Sequence, residues 1–266
     1  MSNTLKDLGY RILTALVILL LTVPIIFYGG FLNTILLFVV YGLAVFEYLS
    51  ISLSLSRTQL LVLTLLYFVL PLSVKFIGVE SFFGTLICIL IGFAAILICS
   101  IEQFSNHPDI KRMYFGVVSS ILYPVLPLLS LFVICEHYSG EYLLWVMVCV
   151  VTADTLAYFV GKAAGGKALS PRISPNKSWS GSIAGIIGAS LASLAWGISF
   201  DFGEPVLRLI ALGLLIGILA VIGDLFESLM KRSLGTKDMG NLLPGHGGVL
   251  DRIDALLFAA PVIFLM

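Results

Sequence analysis

Residues 205–254 read PVLRLIALGLLIGILAVIGDLFESLMKRSLGTKDMGNLLPGHGGVLDRID, and hydrocarbon returns at once with ALLFAAPVIFLM over 255–266. The opening run, 205–226, matches the ~20 apolar residues that a helix needs to cross a bilayer core. Its only charges, Arg208 and Asp224, lie toward its two ends. A long apolar helix, a polar glycine-rich loop and a second apolar run describe a chain that crosses a membrane and returns.

The same pattern extends to the N-terminus. The chain is 59% hydrophobic and 11% charged, less than half the roughly 25% charge of a soluble domain. The apolar runs predict an all-α polytopic membrane protein of nine spans, near 11–29, 31–47, 60–78, 82–100, 113–135, 141–161, 182–199, 205–226 and 251–266. Residues 11–28 are read as the first span, being long for a signal peptide and lacking a small-residue cleavage site. The whole of 1–266 reads as one membrane-embedded domain, with 1–135 mainly scaffold and 136–266 holding the chemistry. With the N-terminus in the cytoplasm, every Lys and Arg except Lys75 and Arg208 falls on the cytoplasmic side, as positive-inside orientation requires. The net charge of zero says little about partners. Cys88, Cys99, Cys135 and Cys149 lie in or beside apolar stretches without paired spacing, and read as small hydrophobes.

Two cytoplasmic loops differ from the rest: 162–181, KAAGGKALSPRISPNKSWSG, and 227–252. Charges in the spans point to the same face. Asp154, in VTADTLAYFVGK, shares a helix face with Tyr158 and Lys162; it is either a polar contact between helices or part of a site facing the bundle interior, since ionisable groups in spans are costly. Asp224 and Glu227 are one face of the eighth span, and Asp251 and Asp254 one face of the ninth. A helix dipole accounts for one such acid at a few tenths of a kcal/mol, but not for four at one boundary. Carboxylates so grouped suit a hard cation such as Mg²⁺, typically held by one or two carboxylates and substrate phosphates.

Between these acids lie Lys231, Arg232, Lys237 and the glycine-rich PGHGG of 244–248, with Arg172 and Lys177 in the other loop. A basic cytoplasmic loop alone is explained by orientation. Orientation, however, requires neither acids nor glycines, whereas backbone amides that approach an anion closely do require glycine. Metal-binding acids beside cationic phosphate holders at a membrane surface point to phosphoryl or nucleotidyl transfer involving a lipid.

The run S228LMKRSLGTKDMGNLLPGHGGVLDRID254 resembles the signature of the phosphatidate cytidylyltransferases (CDP-diacylglycerol synthases): S-x-x-K-R, K-D-x-G, L-P-x-H-G-G and D-R-x-D at the family's spacing. Upstream, DTLAYFVGK and SPNKSWSG resemble the family's second conserved stretch. Here Ser180 precedes Gly181 where many members carry Glu, which removes a carboxylate from that box. The first five spans are similar only in hydropathy.

The resemblance implies that CTP and phosphatidic acid give CDP-diacylglycerol and pyrophosphate in phospholipid synthesis, at the cytoplasmic face of a bacterial-type inner membrane. It implies Asp224, Asp251 and Asp254 for Mg²⁺, the last directly or through water. Lys231, Arg232, Lys237 and Arg252 would neutralise phosphates, with Arg172, Lys177 and Ser178 closing the site from the other loop. Asp238, Gly247, Gly248, Asp154 and Tyr158 would complete the substrate pocket, and His246 either shapes the loop or assists a proton. Substrates are then a nucleotide and membrane lipids, with no nucleic acid. His107 and His137 carry no assigned chemistry. Gly181 with Gly185, and Gly213 with Gly217, give spacings for close helix packing or for a homodimer seam. Trp145, Trp179 and Trp196 are expected at the membrane interface. A transporter using the acids as an ion path, or an enzyme of the same scaffold acting on an ether lipid or polyprenol, are the rival readings.

Overall fold

The computed structural model describes residues 19–53, 55–77, 115–242 and 247–266. The expected span at 82–100, residues 11–18 of the one at 11–29, Cys88, Cys99, His107, His246 and the basic residues Lys6, Arg11, Lys111 and Arg112 lie outside them.

Within the described residues six helices are long and apolar enough to cross a membrane. After a short apolar helix, α1 (Leu19–Tyr28), comes α2 (Gly30–Ser52), longer than the 31–47 expected. The span Arg57–Phe76 is built from α3 (Arg57–Tyr67) and α4 (Val69–Ile77). Ser56 and Gln59 form a reciprocal capping box that starts it. Next, α5 (Phe115–His137) breaks locally where Tyr123 is extended ahead of Pro124, because proline lacks a helical N–H and disfavours the α region for the residue before it.

The second half is the tighter bundle. It comprises α6 (Gly140–Ala164), a hairpin of β1 (Ala168–Ser170) and β2 (Ser174–Ser178), α7 (Trp179–Ser199), α8 (Val206–Ser233) and α9 (Leu250–Ala259). The hairpin is a small antiparallel addition to a helical protein, pairing Ala168 with Ser178 and Ser170 with Ser174. Helix α8 runs past the expected limit of 226, so that Glu227, Lys231 and Arg232 stand on a rigid helix. The last span is shorter than expected: at Pro261, which cannot donate to an α-helical ladder, α9 gives way to a 3-10 turn, Ala260–Leu265.

The glycine spacings serve contacts within the chain. A Cβ on Gly185 would lie 2.7 Å from the Ala153 carbonyl of α6, and one on Gly217 would lie 2.8 Å from Ile186 Cα of α7. Both glycine pairs therefore let α6, α7 and α8 close on one another. Trp145 corrects the interfacial expectation: it is fully buried and donates Nε1 to Ser193 Oγ at 3.1 Å. Trp179 is exposed at the start of α7, and Trp196 stacks on Phe200. At the end of α8 away from Lys231, Arg208 donates to the Leu265 carbonyl at 2.6 Å, fixing the antiparallel run of α8 and the chain's last turn.

Candidate functional site

Loop 162–181 folds into the hairpin, which carries Lys177 inward while Ser178 caps α7 by accepting from the Gly181 amide at 3.2 Å. The Lys177 ammonium is paired directly with the Asp224 carboxylate of α8. Burial lowers the pKa of this ammonium below its ordinary value, while Asp154 and Asp254 act in the opposite sense. Ser180, where many family members have Glu, donates to the Gly165 carbonyl and fastens the end of α6 to the start of α7.

This pair borders a cavity of about 640 Å³ whose lining includes Asp154, Tyr158, Lys162, Asn176, Lys177 and Asp224. Asp154 and Tyr158 thus line the cavity, and Lys162 sits 5.8 Å from the Tyr158 ring centroid. The lining is mixed: carboxylates and ammoniums are interleaved with the apolar Ala153, Ala157 and Val221.

The second cluster joins α8 to α9. Lys231 donates to Glu227 at 2.7 Å and to Asp251 at 3.0 Å. Glu227 is fully buried; its second oxygen, Oε1, receives no donor from Lys231, and its carboxyl group lies beside that of Asp254. Asp251 also accepts from the amides of Met239 and Gly248, each at 2.9 Å. Asp254, one turn along α9, interacts with Glu227, Asp154 and Lys177, and so makes one electrostatic unit of the two clusters.

Of the other expected residues, Arg232 reaches the Ile173 carbonyl at 3.5 Å, a long contact between α8 and the hairpin turn. Arg172, Lys237, Asp238 and Arg252 are exposed, and Gly247 and Gly248 pack beside Asp251 and Glu47. Two acids were under-read from sequence. Glu227 was legible as part of the α8 face, but its complete burial was not. Glu47, in the supposed scaffold, is 3% exposed and accepts the amides of Val249 and Leu250, each at 3.0 Å. The available signal was a charge in an apolar run, the same signal that singled out Asp154.

The site can be tested for a divalent cation. Five carboxylates, Asp154, Asp224, Glu227, Asp251 and Asp254, face the two ammoniums of Lys177 and Lys231. The buried Oε1 of Glu227, beside the Asp254 carboxyl group, calls for one shared positive centre, which a proton or a cation supplies. Among the described residues no three His, Cys, Asp or Glu side chains converge on a metal position. An ion held here would take one or two of these carboxylates and complete its shell with substrate phosphates.

A helical membrane protein with an acid- and lysine-lined cavity at one end of its bundle is the class that fold and site define. The chain belongs to the cytidylyltransferase family, whose model matches residues 9–266. A Bacillus subtilis (strain 168) protein named phosphatidate cytidylyltransferase is 30% identical over 98% of this chain and 97% of its own length. One of the same name from Brucella abortus biovar 1 (strain 9-941) is 44% identical over 134 residues, 49% of this chain and 48% of the relative. A third, from Helicobacter pylori (strain J99 / ATCC 700824), is 38% identical over 56% of each chain. The matched region thus spans about half the length of the Brucella relative.

Proposed function

We propose that this protein transfers the cytidylyl group of CTP to phosphatidic acid, releasing CDP-diacylglycerol and pyrophosphate. The observation that carries the reading is the cavity, where the Lys177–Asp224 pair and its neighbouring carboxylates are interleaved with apolar side chains. A nucleotide triphosphate needs the first feature and a lipid the second. The family membership and the names of the relatives support the same activity.

In this reaction an oxygen of the lipid phosphate attacks the α-phosphorus of CTP. A new P–O bond forms as the bond from the α-phosphorus to the bridging oxygen breaks, and pyrophosphate leaves in line. The nucleophile is already an anion, so a dedicated base is not required. Bound Mg²⁺ would neutralise phosphate charge, with Asp224 and Asp254 holding it beside Glu227. Asp251 stands next to them, its oxygens engaged by Lys231 and two amides, and orients the lysine and the backbone at Met239 and Gly248. Lys177 and Lys231 stabilise charge on the transferring and leaving groups, and Arg172, Arg232, Lys237 and Arg252 add positive charge that gathers the triphosphate.

The distribution of Lys and Arg supports a cytoplasmic N-terminus and a site facing the cytoplasm from the inner membrane. A homodimer would use faces other than the two glycine stripes, which are occupied within the chain.

The test is incubation of detergent-solubilised protein with labelled CTP, phosphatidate and Mg²⁺, following CDP-diacylglycerol and pyrophosphate. Equal release of both, abolished by EDTA and restored by Mg²⁺, is expected. CTP binding without product would direct the search to ether-lipid or polyprenyl acceptors. Absence of CTP binding by folded protein would overturn the nucleotidyltransferase reading.

A further inference from the structure

The N-terminus of α9 lacks a cap of its own. Its N-cap residue is Val249, whose side chain accepts nothing, although the first amides of any helix need partners. Three consecutive amides here are answered by two carboxylates. Gly248 donates to Asp251 at 2.9 Å, whereas Val249 and Leu250 donate to the two separate oxygens of Glu47, each at 3.0 Å. Glu47 stands on α2, 202 residues from Val249.

Gly240 and Gly248 also approach this carboxylate closely. A Cβ on Gly240 would fall 2.4 Å from Glu47 Oε1, and one on Gly248 would fall 2.6 Å from Oε2. Met239, next to Gly240, is fully buried and gives its amide to Asp251. The beginning and the end of the loop are therefore both seated on Glu47, and the first turn of α9 starts where that carboxylate sits. Asp251 and Asp254 occupy that turn and the next.

We propose that Glu47 is a positioning residue for the transfer reaction: it caps α9 from α2 and so sets the placement of Asp251 and Asp254 in the acid cluster. The proposal rests on the cytidylyltransferase reading for its kinetic consequence, but not for its structural one. Displacement of a supporting group by about 1 Å can cost on the order of 100-fold in rate, and removal of a hydrogen-bonding support behind a metal ligand typically costs about 10–100-fold.

The experiment compares full-length wild type with Glu47→Gln and Glu47→Asp in detergent. Gln keeps the volume and one acceptor but turns an NH₂ toward a backbone N–H; Asp keeps the charge and shortens the reach. Two readouts are taken: kcat and KM for CTP in the product assay, and amide hydrogen exchange across the whole chain. For Glu47→Gln the expected kcat is about 10–100-fold lower with KM for CTP within about threefold, and exchange accelerates only in peptides covering 239–251. Glu47→Asp is expected to recover part of kcat, because it restores a charged acceptor for one amide. Wild-type kcat in Glu47→Gln, or exchange accelerated throughout the bundle in proportion to lost activity, would overturn the proposal and leave Glu47 as a general stabilising contact. If wild type itself makes no CDP-diacylglycerol, the functional reading fails and the exchange pattern alone decides the role of Glu47.

Discussion

Replacing Lys231 by methionine removes the ammonium that lies 2.7 Å from Glu227 and 3.0 Å from Asp251. The side chains concerned are 15%, 0% and 5% exposed, so water cannot take the place of the lysine. Glu227 would lose the donor on Oε2, and it would face Asp251 and Asp254 with no cation between them. Removing one partner of such a buried pair costs about 3–5 kcal/mol, the penalty of leaving the Glu227 and Asp251 carboxyl groups buried without their shared donor. The exposed Lys237→Met is the control, expected within about 0.5 kcal/mol of wild type. Stability is read by unfolding in SDS-titrated mixed micelles, followed by the fluorescence of the buried Trp145. The double variant Lys231→Met with Glu227→Gln removes the stranded carboxyl group and its repulsion with Asp254, and a coupling energy of about 0.5–3 kcal/mol in its favour is expected for groups in one network. Lys231→Met costing no more than Lys237→Met, or a double variant no more stable than the single, would refute the buried-pair argument. Activity separates from stability in the same pair: the double variant regains folding but not product formation, because no ammonium meets the phosphates.

Lys177→Met is expected to lower kcat about 100–1,000-fold, the usual effect of removing one group that stabilises transition-state charge, and pyrophosphate release measures it. Trp145→Phe removes the hydrogen bond to Ser193 and is expected to cost about 0.5–1.5 kcal/mol with kcat unchanged; an interfacial tryptophan would show no such loss on unfolding in micelles. Gly185→Leu drives a side chain into the α6 backbone at Ala153 and is expected to abolish recovery of monodisperse protein by size-exclusion chromatography, while the same change at Gly235, which has open space around it, reduces yield only through its positive φ of 71°.

Several features of the molecule are local and therefore readable along the chain. Hydropathy over a span-length window marked six runs that the structure shows as membrane-length helices. Helical spacing put Asp224 beside Glu227 and Asp251 beside Asp254, and the loop lysines and glycines between those pairs carried the family signature. Each of these inferences needs only neighbours within a few turns. The kink at Pro124 and the early end of α9 at Pro261 were equally local in origin, though hydropathy does not register either.

What hydropathy cannot separate is hydrocarbon supplied by lipid from hydrocarbon supplied by another helix, because the transfer of an apolar side chain into either is similarly favourable. Only the packing of helix faces decided that Trp145 is interior, or that the glycine stripes of α7 and α8 meet neighbours within the chain. The site shows the same division. Lys177 finds Asp224 across 47 residues, Lys231 finds Asp251 across 20, and Glu47 reaches α9 across more than 200. A sequence states which residues carry charge, but the pairing of those charges follows from which helices touch. The amino-acid order by itself determined a helical membrane protein whose 228–254 run carries the cytidylyltransferase-family signature. The tertiary structure determined which carboxylates face which ammoniums, and that an acid of the first half holds the last helix in place, because burial and partnership are properties of contacts between distant segments.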